Sequence, residues 1–198
     1  AGGLHFLRTI ATDDLVLHEL IKELWLRRVP IGPVPKDIDF KVPKGPPPHI
    51  VLLSEWDTAY GRSLGMTFAA EAFDRPVEEI MANRASRKLR RREGQSRRQL
   101  HFYRYLRGID GQLPGDPARE SSERSPKKSA EAAAMEGTEG LNQADYLRRL
   151  ARTLKEDDRT WRLTSGIGIR AFGLLGSDTY DKLMILRALR PEFPEAIF

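Results

Sequence analysis

The sequence predicts an α/β protein: a doubly wound parallel sheet of about four strands with helices on both faces. Two observations carry this prediction. Short apolar runs of strand length alternate along the chain with longer segments whose apolar residues recur at helical spacing. The run at 50–53 is apolar without interruption, which is typical of a parallel strand buried on both of its faces. No internal repeat of solenoid length is evident.

The first elements are a strand at 4–9 and a helix whose N-cap is Thr12 or Asp13. Pro30 ends this helix, because a proline inside a helix removes a hydrogen bond and clashes with the preceding turn. We expect the apolar stripe of the helix to face the core. It consists of Leu15, Leu17, Leu20, Ile21, Leu24 and Trp25.

The stretch 30–48 carries six prolines after Pro30 and is predicted to be a loop. Strand 50–53 follows it, and then a helix over 60–73. Helical structure is predicted to continue over 77–92. The apolar face of the helix at 60–73 consists of Leu64, Phe68, Ala69 and Phe73.

The second half of the chain continues the alternation. The aromatic-rich run 100–106 predicts a strand, and order resumes with a helix that begins near Asn142. A strand at 167–175 and a helix over 177–193 follow. The low-complexity segment 113–140 is predicted to be a disordered insertion, because it has too little apolar surface to offset the entropy of ordering.

Charge is unevenly distributed along the 198 residues. The chain has a formal net charge of +5, yet the basic arm at 82–99 holds eight cations against one acid, Glu93, so the remainder is slightly acidic. The cations of this basic patch are Arg84, Arg87, Lys88, Arg90, Arg91, Arg92, Arg97 and Arg98. The chain has no cysteine, which excludes disulfides, thiolate nucleophiles and cysteine metal sites within it.

Polar residues follow the strand at 50–53, and strand ends of this kind are where open α/β sheets bind ligands. We expect Ser54, Glu55, Asp57 and Tyr60 to contact a ligand there. Glu55 and Asp57 lie two residues apart and can share one face of an extended chain, so a carboxylate pair for acid–base catalysis is the alternative. Tyr60 could also simply pack on the sheet edge.

A second candidate cluster, with Ser177, Asp178, Tyr180 and Asp181, begins the last helix. Free N–H groups at a helix N-terminus can bind an anion or a ligand carboxylate. Simple capping by Ser177 or Asp178 is the favoured interpretation of this pattern, and ligand binding is the alternative.

Motifs for cofactors, metals and known catalytic machinery are missing from the sequence. The spacing of Gly173 and Gly176 does not form a dinucleotide fingerprint, and no phosphate-binding Lys-Ser/Thr follows. The four histidines have no metal-ligand spacing, and no serine lies in a nucleophile elbow. We therefore expect no cofactor, no metal and no catalytic residue. The histidines are His5, His18, His49 and His101.

In the order of these motifs the chain resembles the type I periplasmic-binding-protein fold, in particular the ligand-binding domains of branched-chain amino-acid receptors and their relatives. The resemblance covers roughly 4–73 and 142–198. The stretches that carry it are 6–13, with Arg8 and the Thr12-Asp13 pair; Ile50 to Asp57; Tyr60-Gly61-Arg62-Ser63-Leu64; and Ile169 to Asp181.

The resemblance implies a receptor or sensor domain in which two lobes close on a small polar, amino-acid-like ligand. This chain would be one lobe of a longer protein and hold half of the site. The family commonly places a ligand-contacting tyrosine where Tyr60 lies, and Asp178 and Tyr180 would lie in a turn that faces the cleft. A periplasmic or membrane-associated location is implied by the resemblance alone, with membrane association coming from segments outside this chain.

The basic arm and the insertion are unusual for a simple transport receptor. They support a second interpretation, a partner-docking module without a ligand whose basic arm contacts acidic partners or lipid headgroups. Nucleic acid is the less favoured partner, because the arm has no interleaved aromatic residues.

Overall fold

The computed structural model describes residues 11–39, 44–76, 99–109 and 143–198, with only the backbone of 143 and 144. Three strands and four helices lie in these ranges. In chain order they are α1 (Asp13–Leu26), β1 (His49–Glu55), α2 (Ala59–Phe73), β2 (Leu100–Tyr105), α3 (Gln143–Ser165), β3 (Ile169–Leu175) and α4 (Thr179–Leu189). This confirms the α/β class.

The sheet is parallel and has the strand order β2-β1-β3. The central strand β1 is buried at every position, as expected for a strand with neighbours on both sides and helices on both faces. Next to β3, Ile197 forms an isolated parallel bridge with Ala171.

Helices cover both faces of the sheet, and two apolar clusters fill the space beneath them. α1 and α2 lie on one face, where Phe68 and Trp25 pack with Leu52 of β1. α3 and α4 lie on the other, where Leu154 and Ile185 pack with alternate residues of the same strand. The doubly wound arrangement follows from the alternating direction of side chains along β1, because successive residues point to opposite faces.

The apolar stripe of α1 is narrower than predicted. Leu17, Ile21 and their neighbours Leu24 and Trp25 are buried, but Leu15 is 56% exposed and Leu20 is 40% exposed. α1 packs mainly against α2 rather than across the sheet, and a contact with a single helix covers a narrower stripe.

Within the predicted loop at 30–48, the described stretches 30–39 and 44–48 hold no regular helix or strand. Its start is fixed to the core, since Trp25 Nε1 donates a 2.9 Å hydrogen bond to the carbonyl of Ile31, and Val29 and Ile31 are buried. The predicted strand 4–9, the helical continuation 77–92, residues 82–98 of the basic arm and the insertion 113–140 lie outside the described residues.

The first turn of α2 lies directly against the end of β1. A Cβ atom on Gly61 would lie 2.5 Å from both the Cβ and the carbonyl oxygen of Glu55. One turn later, a Cβ on Gly65 would meet Phe102 and the Ser54 hydroxyl at 3.5 Å, which is ordinary contact. Only the first glycine is therefore required for the close approach of helix and strand.

We expect Gly61→Ala to lower the free energy of unfolding by about 1–3 kcal/mol, because the backbone of β1 cannot move away. Gly65→Ala in the same helix is the matched control and should raise it by up to about 1 kcal/mol, since alanine favours a helix interior. Urea denaturation of both variants measures this. Equal effects of the two substitutions would contradict the packing argument.

Candidate functional site

Three loops meet at the carboxyl edge of the sheet, because all three strands run parallel. They comprise residues 56–58 after β1, 106–109 after β2 and 176–178 after β3. The strands end at nearly the same level, since Glu55 pairs with Tyr105 and Ser54 pairs with Leu175. This edge is where ligands bind to open α/β sheets.

Glu55 lies at the centre of this edge and is completely buried. Its carboxylate accepts hydrogen bonds from the Ser177 backbone N–H (2.7 Å) and the Ser177 hydroxyl (2.8 Å), and a short one from the Thr58 hydroxyl. Arg107 Nε lies 3.5 Å from Oε1. The buried charge is thus satisfied by donors from the loops after β1 and β3 and faces a cation from the loop after β2.

The same network fixes the start of α2. Thr58 is the N-cap, and its hydroxyl, which donates to Glu55, accepts a 3.0 Å hydrogen bond from the Gly61 N–H. Ser54 is buried, and its hydroxyl donates to the Gly61 carbonyl at 2.6 Å. Ser54 and Glu55 therefore have hydrogen-bond partners within the domain.

Asp57 and Arg107 form an ion pair at the surface of this edge. Asp57 accepts hydrogen bonds from the Arg107 backbone N–H (3.2 Å) and from its Nε (3.0 Å). Partial burial pulls the pKa of Asp57 upward, but these hydrogen bonds outweigh it and leave the pKa below its usual value. The two side chains are 32% and 30% exposed, so each still reaches solvent.

Two aspartates connect α4 to the neighbouring loops. Asp178 is the N-cap of α4 and accepts a 2.8 Å hydrogen bond from the Tyr180 N–H, which confirms the predicted capping. Asp181 is fully buried and accepts hydrogen bonds from the backbone N–H groups of Gly108 (2.9 Å) and Ile109 (2.7 Å). Asp181 thus holds the loop after β2 against α4.

The side chain of Tyr105 places a buried hydroxyl among the carboxylates of this edge. The hydroxyl has no hydrogen-bond partner among the described residues and lies against Gly176, where a Cβ atom would come within 2.0 Å of it. Burial raises the pKa of Tyr105 strongly, and four nearby carboxylates raise it further. They belong to Glu55, Asp181, Asp178 and Asp57.

Four of the predicted contact residues reach the surface of this edge. Tyr60 is 46% exposed, and its hydroxyl lies 3.4 Å from Asp13. Tyr180 is 44% exposed. Ser177 and Asp57 are also accessible to solvent. The structure thus brings the two predicted clusters to one edge. Their contact with a ligand stays a prediction.

Three residues of the network were not predicted. Thr58, Tyr105 and Arg107 all follow or end strands at the same edge as Glu55. The available signal was positional: Arg107 follows the end of β2 by two residues, just as Asp57 follows the end of β1. Strand-end reasoning applied to β2 would have found it.

The opposite edge of the sheet holds a second polar cluster. His49 Nδ1 and His101 Nε2 lie 2.9 Å apart, and both rings stack on Trp161. Ser165 Oγ lies 3.0 Å from His49 Nε2. Within the described ranges no group of three or more metal-ligating side chains occurs, and the pair is explained by its ring contacts and hydrogen bonds.

Comparison of the chain with protein-family models, with curated proteins and with solved structures gives no match. Among the described helices, none combines the length and the apolar character needed to cross a lipid bilayer.

Glu55→Gln should lower the free energy of unfolding by about 2–4 kcal/mol, because the amide NH₂ would face hydroxyl and N–H donors in place of a carboxylate oxygen. Glu156→Gln on the exposed surface of α3 is the control, with a change within about 0.5 kcal/mol. Denaturant unfolding measures both. A Glu55→Gln effect as small as that of the control would refute the structural role of the carboxylate.

Loss of the hydroxyl should affect stability differently at the two tyrosines of β2, Tyr105 and Tyr103. Tyr105→Phe removes a buried hydroxyl without a partner and should leave stability unchanged or raise it by up to about 1 kcal/mol. Tyr103→Phe removes a donor to Asp157 and should cost about 1–2 kcal/mol. Thermal unfolding of the pair tests this, and a large loss from Tyr105→Phe would reveal a partner for that hydroxyl.

Proposed function

We propose that this chain is a non-catalytic sensor or receptor domain that binds a small polar molecule at the carboxyl edge of its sheet. In this proposal it is one lobe of a hinged cleft of the type I periplasmic-binding-protein kind. The observation that supports it most directly is the convergence of polar side chains from three strand-end loops at one edge. Ligands of open α/β sheets bind at this position.

The chemistry of the edge suits a small ligand that carries both charges, as an amino acid does. Asp57 offers a carboxylate to an ammonium group, and Arg107 retains N–H donors beyond its Nε for a carboxylate. Tyr60 and Tyr180, in the first turns of α2 and α4, present half-exposed rings that combine an apolar face and a polar tip.

Preorganisation also supports binding at this edge. The hydrogen bonds of Glu55 fix the loops after β1 and β3 relative to each other, and Asp181 fixes the loop after β2. Binding groups held in place before the ligand arrives lose little entropy on binding. A second lobe would complete the site, and its closure on the ligand would shift a two-state equilibrium.

The burial of Glu55 favours binding over catalysis by a Glu55–Asp57 carboxylate pair. Both oxygens of Glu55 already accept hydrogen bonds from the protein, and the side chain has no exposed surface. A general acid or base needs contact with the proton that it transfers. Asp57 alone would remain accessible to a substrate.

Thermal unfolding in the presence of single amino acids and small dicarboxylates tests the proposal. A ligand present at about one hundred times its Kd stabilises the protein by about 2.7 kcal/mol, which gives a clear rise in Tm. The rise should vanish in Arg107→Ala and shrink in Tyr60→Ala, each compared with its own ligand-free Tm.

Arg170→Ala is the matched control, because this arginine lies near the start of β3, away from the carboxyl edge. The control should retain the full rise in Tm. No rise with any compound, or a rise that survives Arg107→Ala and Tyr60→Ala, would contradict ligand binding at this edge.

A further inference from the structure

A groove of about 650 Å³ runs between α3 and α4, on the face of the sheet opposite α1 and α2. Its floor is apolar. Leu147 and Ala151 contribute from α3, and Met184 and Ala188 contribute from α4. Each pair is four residues apart and so lies along one face of its helix, and the two alanines, one on each side, leave the space open.

The rim of the groove is basic. Arg148 and Arg152 lie along α3, and Arg187 lies on α4. None of these three has an ion-pair partner among the described residues, whereas Lys155 on the same rim pairs with Glu192. Within the part of the chain that the structure describes, the groove therefore combines an apolar floor with three guanidinium groups that lack a carboxylate partner.

We propose that this groove is a docking site for an acidic amphipathic helix of a partner protein. The apolar side chains of such a helix, at positions i, i+4 and i+7, would enter the groove between α3 and α4. Carboxylates on its flanks would meet Arg148, Arg152 and Arg187, and the planar guanidinium group pairs with carboxylates through two parallel hydrogen bonds.

The recess distinguishes this occupant from a membrane. On the α3 side, Leu147 and Ala151 are only 4% and 8% exposed, and on the α4 side Met184 and Ala188 are half-buried, so most of the apolar surface of the floor is recessed between the two helices. Insertion into a bilayer requires apolar side chains that protrude from the surface. A convex ridge of side chains, as on a helix, can reach the floor, and a flat lipid surface cannot.

The apolar floor also disfavours nucleic acid. Cations and polar hydrogen-bond donors bind a phosphate backbone. An apolar recess between them adds nothing to the binding free energy. Here the arginines surround apolar side chains, which matches the pattern of an interface with an apolar centre and a charged rim.

The experiment uses the complete chain as bait in a display selection. The library presents a helical peptide whose exposed positions are all randomised. Selected peptides should carry apolar residues at i, i+4 and i+7 with Asp or Glu beside them, and bind with a Kd of about micromolar, as a small single-helix interface does.

Two variants locate the binding on the groove. Arg148→Glu combined with Arg152→Glu should weaken a selected peptide by about tenfold or more, because charge reversal at a rim turns attraction into repulsion. Arg159→Glu is the matched control: it lies on the same helix, is exposed and does not line the groove, so it should change the affinity less than about twofold. Replacing the acidic residues of the peptide by Lys should restore binding to the double variant.

Several results would overturn the proposal. They are selected peptides that are basic or lack helical spacing, a double variant that binds as tightly as the unaltered chain, and an equal loss of binding in Arg159→Glu. Competition by double-stranded DNA, or by phosphatidylserine–phosphatidylcholine vesicles, that is lost in the double variant would assign the groove to those partners instead. Ligand-induced changes in Tm at the carboxyl edge do not involve these arginines, so the two proposals fail separately.

Discussion

The arrangement of the carboxyl edge depends on one buried charge. Removing a carboxylate from water costs several kcal/mol unless hydrogen bonds replace the lost hydration, so Glu55 can be buried only where donors surround it. Ser177 and Thr58 are those donors. The need to satisfy Glu55 therefore fixes the loop after β3, the N-cap of α2 and, through Arg107, the loop after β2.

This constraint also explains why polar residues concentrate at the two ends of the sheet. The middle of β1 is enclosed by helices on both faces and by β2 and β3 at its sides, and only apolar side chains fit there. Its last residue, Glu55, finds hydrogen-bond donors in the loops after β1 and β3, and its first, His49, lies beside Ser165 at the end of α3. The fold thus directs its polar chemistry to the strand ends.

Local pattern was sufficient to predict the strands and helices of the described ranges, because apolar run length and helical spacing are properties of neighbouring residues. It also placed Glu55 and Asp57 on a strand end. It does not predict that Ser177, 122 residues further along the chain, donates hydrogen bonds to Glu55, because such pairing depends on strand order. For the same reason Leu15 and Leu20 were assigned to the core, although α1 packs mainly on α2.

Helix α4 is the element that the two proposed sites share. Its first turn is held at the carboxyl edge by Asp178 and Asp181, and Met184, Arg187 and Ala188 line the groove. The distance from Asp181 to Ala188 along the helix is about 10 Å, at 1.5 Å per residue. A partner helix that displaced α4 would therefore also move the backbone N–H groups that Asp181 holds. If a partner in the groove changed the affinity of the carboxyl edge for its ligand in this way, linkage would require the ligand to change the affinity of the groove for the partner by the same factor.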